Sequence, residues 1–216
     1  MPNGKAAPCV YAHGAASLWG EAHMGWEHKG ESMSSQASGP VPVVIETSLG
    51  AIEVEIDTNA APITAANFLS HVDNGLYDGG IFHRTVTVEN QSAVTAPTLD
   101  PSVVIEVIQG GIHPEKLPAD LQPIPLERTS DTGLLHTDGA ISMGRGSTDS
   151  AVEQFFICIG DQPALDFGGM RNPDGQGFAA FGYVTKGMDV VRAIQVSPHE
   201  GQKLTPPIAI RKISRK

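Results

Sequence analysis

The stretch "GIFHRTV" at residues 80–86 places an arginine in the middle of a β-prone run. Alternate side chains of an extended strand share a face, so we expect Phe82, Arg84 and Val86 on one side. Burying an unpaired guanidinium costs free energy, so this face is either exposed to solvent or part of a site where the arginine takes part in chemistry. Arginine stays protonated and cannot act as a base, but it donates hydrogen bonds. The segment therefore predicts a site that binds acceptor atoms or stabilises charge.

Two further runs place a polar hydrogen-bonding side chain beside an apolar one. Val107 and Gln109 share a face in "VIEVIQGG", and Gln154, Phe156 and Cys158 share a face in "EQFFICIG". For any single strand, a half-exposed sheet face is a sufficient explanation. Three such strands in one β-rich chain favour a shared amphipathic groove. Such a groove suits an extended peptide, or a reaction that needs only charge stabilisation.

Motifs for other chemistries are missing from the sequence. It has no Gly-x-Ser-x-Gly elbow and no paired-carboxylate signature. His13, His23 and His28 follow one another at spacings that fit no common metal site, which favours a solvated tail over metal ligands. We expect neither a metal nor a cofactor.

Composition describes an ordinary globular chain. Its 216 residues, 40% hydrophobic and 18% charged, suffice for a sizeable core in one large or two small domains. A net charge of −10 without a Lys/Arg stripe argues against nucleic acid as a partner. No apolar run is long enough for a membrane span, and Cys9 and Cys158 make no disulfide framework. Without the apolar core of a signal peptide, we expect a cytoplasmic protein, with the periplasm as the alternative.

The elements that must position these residues begin at residue 41. Residues 1–40 lack any sustained period and are predicted to be a flexible extension, and residues 41–216 a folded domain. "VPVVIETSLGAIEVEID" predicts a hairpin with its turn at "TSLG", and helices are predicted in "PITAANFLSHVDNG" and "GMDVVRAI". Many short strands with two helices favour an all-β sandwich or barrel. Further strands are predicted at 81–88, 103–109, 140–143, 154–159, 178–184 and 208–213.

Taken in order, the segments "IFHR", "IQGG", "GAISMGRG", "QFFICIG" and "FAAFGYVTKGMDVVRAI" resemble the cyclophilins, which are peptidyl-prolyl cis–trans isomerases. The resemblance covers residues 42 to about 214 and is nearest to a bacterial branch. It implies a mainly-β fold, a closed eight-stranded antiparallel barrel capped by two α-helices. It also implies an enzyme that accelerates X–Pro bond rotation in unfolded or extended polypeptides and so assists folding. Its partners would be proline-containing peptides and unfolded proteins, and we expect a monomer.

The resemblance also implies residue roles. Arg84 matches the catalytic arginine, which donates to the proline nitrogen or its carbonyl, and Gln109 matches the glutamine that holds arginine and peptide. The other substrate-binding positions that it implies are Gln154, Phe156, Val107, Leu165, Gly144, Arg145 and Phe178.

The chain departs from the family pattern at the pocket wall. Glu106 and Val107 stand where the family usually has phenylalanine and methionine, and Ala164 where it often has tryptophan. Phe178 aligns best with a family histidine. These departures support an alternative hypothesis, a non-catalytic peptide-binding or holdase module. A further hypothesis is a salt bridge between Glu106 and Arg84. Such a salt bridge would either align the guanidinium or weaken its electric field at the substrate.

Overall fold

An antiparallel sheet closes on itself in the computed structural model, which describes residues 39–91 and 103–216. The strands are β1 (Val41–Thr47), β2 (Ala51–Ile56), β3 (Ile81–Val86), β4 (Val107–Gly111), β5 (Ala140–Met143), β6 (Phe155–Cys158), β7 (Ala179–Lys186), β8 (His199–Glu200) and β9 (Lys203–Arg215). Eight of them follow one another in the order β1-β2-β7-β5-β6-β4-β3-β9, and β1 pairs with β9 to close the barrel. The two-residue β8 pairs with β9 as a short hairpin beside it. The closed eight-stranded antiparallel barrel is therefore confirmed.

Both predicted helices are present, as α1 (Pro62–Asp73) and α3 (Met188–Gln195). Helix α1 begins with proline, whose missing N–H would have no partner in the first turn, and the carboxylate of Glu127 accepts hydrogen bonds from the next two backbone N–H groups. The four-residue α2 (Thr129–Thr132) was not predicted, because it is too short to show a helical period. Two 3₁₀ turns lie at Pro114–Lys116 and Pro163–Leu165.

Apolar side chains form two clusters, one on each side of the barrel wall. Inside the barrel, the ring of Phe155 makes edge-on contacts with Phe68, Tyr77 and Phe82 at centroid distances of 5.6, 5.5 and 5.7 Å. Phe156, the next residue, belongs to the second cluster, so β6 alternates as predicted. The second cluster consists of Val86, Ile105, Val107, Ala140, Phe156, Cys158 and Leu165.

Strand β3 does not keep the predicted alternation. Its register shifts between Phe82 and Arg84 against both neighbouring strands, which marks a bulge at His83. Phe82 consequently packs in the barrel interior, whereas Val86 joins the outer cluster beside Arg84. The prediction that Phe82 shares a face with Arg84 and Val86 is wrong, because the extra residue inverts the strand's facing at that point.

Glycine is required where β7 crosses close to β2. A Cβ atom at Gly182 would overlap the carbonyl oxygen of Glu55, so only a residue without a side chain fits this crossing. The predicted hairpin turn is present as well, since the N–H of Thr47 donates to the carbonyl oxygen of Gly50 at 2.9 Å. Gly50 has a φ of 143°, a conformation that side chains disfavour.

Some sequence predictions concern residues outside the described part. The proposed extension at residues 1–40, with its three histidines, lies outside it up to residue 38. The predicted strand at 103–109 does lie within the described residues, but in the structure it spans Val107–Gly111. Among the described residues, no helix has the length and apolar character needed to cross a membrane.

His71 on α1 is expected to make stability depend on pH. Its ring is 6% exposed, and burial lowers its pKa below the ordinary 6.5 despite a contact between Nε2 and the Val152 carbonyl oxygen. Below pH 6.5 the unfolded chain takes up a proton that the folded chain resists, so the free energy of unfolding falls as the pH drops towards the folded pKa.

We therefore expect His71→Gln to flatten the pH dependence of denaturant unfolding between about pH 7.5 and about pH 5.5. The pKa of His83 is also lowered, first by burial and next by the charge of Arg84. His83 therefore contributes the same pH dependence of stability in the wild type and in the variant. Equal slopes for the variant and the wild type would contradict the assignment to His71.

Candidate active site

Two glutamines hold the guanidinium of Arg84 at the outer face of β3. Its Nε and Nη2 donate to Oε1 of Gln202 at 3.0 and 2.7 Å, and its Nη1 donates to Oε1 of Gln109 at 2.8 Å. Gln109 in turn donates through Nε2 to Oε1 of Gln154 at 2.7 Å. No carboxylate of residues 39–91 and 103–216 forms an ion pair with Arg84. The cation is oriented by neutral acceptors, so its charge remains available to a ligand.

Glu106 does not contact Arg84. Its Oε1 accepts a hydrogen bond from Nε2 of Gln195 at 3.1 Å, next to the end of α3. Since Val107 faces the groove, the preceding side chain points to the other side of the chain. The hypothesis of a salt link between Glu106 and Arg84 is therefore wrong.

Gln202 is a further residue of the site that no sequence pattern predicted. It lies 118 residues after Arg84, in the turn between β8 and β9, and belongs to no recognisable motif. Pairing of β3 with β9 brings it to the site, where its carbonyl oxygen accepts the N–H of Thr85 at 2.9 Å. No signal in the local sequence would have found it, because the contact depends on barrel closure.

We expect Gln202→Leu to lower kcat on a proline peptide about tenfold, because the guanidinium loses two of its three fixed hydrogen bonds. KM should change little if Gln202 acts only by positioning Arg84. Turnover measured by NMR exchange checks this, with a double-mutant cycle against Arg84→Ala. If Gln202→Leu costs as much activity in the Arg84→Ala background as in the wild type, the two residues act independently and the positioning role fails.

An apolar pocket opens directly beside Arg84. Its volume is about 110 Å³, and the ring of Phe156 meets that of Phe178 edge-on at 5.6 Å. The structure thus brings together most of the predicted site residues, from six separate segments of the chain. Ile105 and Arg171 also line the pocket and were not predicted. The lining is Arg84, Ile105, Val107, Gln109, Gly144, Arg145, Phe156, Leu165, Arg171 and Phe178.

A wider recess adjoins this pocket. Its volume is about 550 Å³, and it shares Gln109, Gly144 and Arg145 with the pocket. Gln154 and Leu117 line this recess and not the pocket itself. Because they share three lining residues, pocket and recess form one continuous groove.

The side chain of Arg145 clamps the loop between Leu165 and Phe178. Its two Nη atoms donate to the carboxylate of Asp174 at 2.7 and 2.8 Å, and its Nε donates to the carbonyl oxygen of Gly177 at 2.7 Å. The guanidinium also lies 5.0 Å from the ring centre of Phe178, and it holds the pKa of Asp174 well below its ordinary value. Its charge is therefore already compensated within the protein.

The backbone N–H of Gly144 is also engaged within the protein, since it donates to the carbonyl oxygen of Gln154 at 2.7 Å. Gly144 has little room for a side chain, because a Cβ atom would lie 3.3 Å from Nε2 of Gln109. A side chain at this position would therefore crowd Gln109, which accepts a hydrogen bond from Arg84.

A buried Ser-His-Asp arrangement lies behind the pocket. The ring of His136 contacts Oδ1 of Asp166 through Nδ1 at 2.7 Å and Oγ of Ser142 through Nε2 at 2.9 Å. Ser142 is completely buried, so its hydroxyl cannot act as a nucleophile on a ligand in the groove. The His136 ring instead stacks on Phe156 at 5.9 Å and fixes the pocket wall. These residues could not be predicted from the sequence, because they form no local motif.

The remaining reactive groups add no other chemistry to the groove. Among the described residues, no group of three or more His, Cys, Asp or Glu side chains is placed to hold a metal ion. Cys158 is buried, and burial raises the pKa of its thiol well above the ordinary value. The site offers an oriented cation, amide groups and an apolar pocket, which suit the binding of a peptide and the stabilisation of developing charge.

Comparisons with known proteins agree with this geometry. A family model described as cyclophilin type peptidyl-prolyl cis-trans isomerase/CLD matches residues 42–215. A peptidyl-prolyl cis-trans isomerase of Acinetobacter baylyi is 36% identical over 167 residues, which cover 77% of this chain and 78% of that protein. Peptidyl-prolyl cis-trans isomerase B of Escherichia coli is 30% identical, over 71% of this chain and 83% of that protein.

The fold is also similar to a solved structure. A crystal structure of a cyclophilin type isomerase from Cryptosporidium parvum has a TM-score of 0.63 at 21% identity, and the match covers 82% of this chain and 98% of that one. A second crystal structure of that protein, in the presence of the dipeptide Ala-Pro, gives a TM-score of 0.62 at 21% identity, over 81% of this chain and 98% of that one.

Proposed function

The chain belongs to the cyclophilin-type peptidyl-prolyl cis–trans isomerase family, and we propose that Arg84 is the group through which it accelerates X–Pro bond rotation. The substrates are proline-containing segments of extended or unfolded polypeptides, and the activity assists folding. The observation that carries the proposal is the Arg84 guanidinium, which Gln109 and Gln202 fix in the lining of an apolar pocket.

The reaction needs only electrostatic stabilisation. An amide bond has a rotational barrier of about 18–20 kcal/mol because the nitrogen lone pair is delocalised into the carbonyl group. Twisting the X–Pro bond localises that lone pair on nitrogen. A fixed donor that meets the twisted amide stabilises it more than either planar isomer, which lowers the barrier. Lowering it by about 7 kcal/mol would accelerate rotation by roughly five decades.

The other groove residues position the substrate. Phe156, Leu165 and Val107 form an apolar pocket that accepts the proline ring. Gln154 faces the wider recess and is placed to hydrogen-bond the peptide backbone. Burial of the proline ring excludes water from the neighbourhood of Arg84, which strengthens its hydrogen bonds to the amide.

An exchange experiment tests the proposal without a coupled protease. NMR exchange spectroscopy on an Ala-Pro peptide should show catalysed interconversion of the cis and trans forms by the wild-type protein. Exchange at the uncatalysed rate, together with saturable peptide binding, would instead identify the non-catalytic binding module. Uncatalysed exchange without binding would contradict both functions.

A further inference from the structure

Arg171 brings a second cation to the proline pocket. It lies in the loop that connects the 3₁₀ turn Pro163–Leu165 to β7, and it lines the same pocket as Arg84. Its Nη1 donates to Oε1 of Gln91 at 3.0 Å and to the carbonyl oxygen of Val103 at 3.4 Å. The backbone N–H of Arg171 donates to the carbonyl oxygen of Ala164 at 3.0 Å. The side chain is therefore held in place by residues that follow β3 and precede β4.

Neither of these two cations is neutralised by the described residues. Within residues 39–91 and 103–216, no carboxylate forms an ion pair with Arg84 or Arg171, whereas the third pocket arginine, Arg145, is bound to Asp174. Burial lowers the pKa of Arg171, and burial followed by the charge of Arg171 lowers the pKa of Arg84. The two guanidinium groups thus repel each other across a small cavity, and an anion between them would relieve that repulsion.

We propose that Arg84 and Arg171 together form a subsite for a carboxylate, so that the enzyme prefers prolyl bonds with an acidic residue next to the proline. This inference rests on the proposed function, because the proline ring must occupy the pocket for its neighbour to reach both cations. A guanidinium is planar and can donate two parallel hydrogen bonds to a carboxylate. Two such groups lining one small pocket could each donate to one carboxylate oxygen.

The geometry favours a carboxylate on the peptide over a free anion. The pocket holds about 110 Å³, and its lining includes the apolar side chains of Phe156 and Leu165, which suit a proline ring and not an ion. A carboxylate attached to the neighbouring residue would contact the arginines without taking the place of the ring.

The preference acts at short range. The protein carries a net charge of −10, so its overall field disfavours acidic substrates at a distance. At physiological salt this field is screened beyond about 8 Å. Selectivity at that ionic strength therefore reports the local arginine pair.

Matched peptides test the inference. Acetylated and amidated Ala-Ala-Pro-Glu and Ala-Ala-Pro-Gln differ in one charge, and a second pair with Glu or Gln before the proline tests the other side. A free-acid Ala-Ala-Pro distinguishes a terminal carboxylate from an acidic side chain. We expect the better acidic peptide to exceed its Gln partner about tenfold in kcat/KM, which corresponds to about 1.4 kcal/mol, by NMR exchange at about 0.15 M salt.

Three arginine variants provide the comparison, two at Arg171 and one control at Arg192. Arg171→Gln should reduce the acidic-to-neutral ratio to about one, and Arg171→Lys should keep part of it, since the charge remains but the fork is lost. Arg192→Gln removes the same charge from an exposed side chain on α3 that pairs with Asp138, and its ratio should equal that of the wild type.

Each outcome decides one claim. A wild-type ratio near one for both side-chain pairs overturns the inference while leaving the isomerase function intact, provided the neutral peptides are turned over. A preference for the free-acid peptide alone also overturns it in favour of a terminal carboxylate. If Arg171→Gln leaves the acidic-to-neutral ratio of kcat/KM unchanged, the selectivity arises from other residues and the inference is wrong. Loss of turnover on all peptides by the wild type would instead contradict the proposed function.

Discussion

Arg84→Ala is expected to lower kcat/KM on a proline peptide at least about a hundredfold, a loss of about 2.7 kcal/mol in transition-state stabilisation. The guanidinium is a charged donor that Gln109 and Gln202 fix in the groove, and no described carboxylate neutralises it. Its removal leaves the twisted amide without a preorganised partner, while the pocket for the proline ring remains. The loss should therefore appear mainly in kcat.

Two controls separate catalysis from folding. Arg84→Lys keeps a positive charge but cannot bond both glutamines through a planar fork, so we expect activity between those of the wild type and Arg84→Ala. Arg192→Ala removes an exposed arginine from α3 and should leave turnover unchanged. Thermal unfolding should show that all three variants are folded at the assay temperature. Turnover of Arg84→Ala within a few-fold of the wild type would rule out the proposed mechanism.

Phe156→Ala is expected to raise KM and lower kcat/KM at least about tenfold, because the proline ring loses its largest apolar contact. Phe156 is 4% exposed, and its ring lies between His136 and Phe178. The truncation should also reduce the free energy of unfolding by about 3–5 kcal/mol, as for other large buried aromatic side chains. Exchange kinetics and denaturant unfolding measure the two effects separately.

The neighbouring residue provides a matched control. Phe155 lies on the opposite face of β6, completely buried inside the barrel against Phe68 and Tyr77. Phe155→Ala should also lower the free energy of unfolding by about 3–5 kcal/mol, because it opens a cavity in the barrel interior. At a temperature where it remains folded, its KM should stay close to that of the wild type. Equal rises in KM for both variants would mean that the Phe156 effect is a general consequence of destabilisation.

Much of the groove follows from the sequence, because it depends on properties of short segments. Alternation along β6 separates Phe155 from Phe156, and alternation along β4 puts Val107 and Gln109 on the groove side. Together with Arg84, these residues carry the resemblance to the cyclophilins, and the family assignment is confirmed. Helices α1 and α3 were predicted from their period of 3.6 residues, which is equally local.

Other parts of the site were decided by the tertiary structure. The bulge at His83, the hydrogen bond of Glu106 to Gln195, and the approach of Gln202 to Arg84 could not be read from neighbouring residues. Each depends on how one strand pairs with another or on what packs against it after the barrel closes. Arg171 reaches the pocket in the same way, through the fold of a long loop.

The amino-acid sequence by itself thus determined which side chains are available on each strand, since backbone geometry makes successive residues alternate. The closed barrel decided which of them meet around Arg84, what orients its guanidinium, and which charges remain uncompensated. The physical reason is that alternation acts between adjacent residues, whereas strand register and side-chain pairing are set by contacts between segments far apart in the chain.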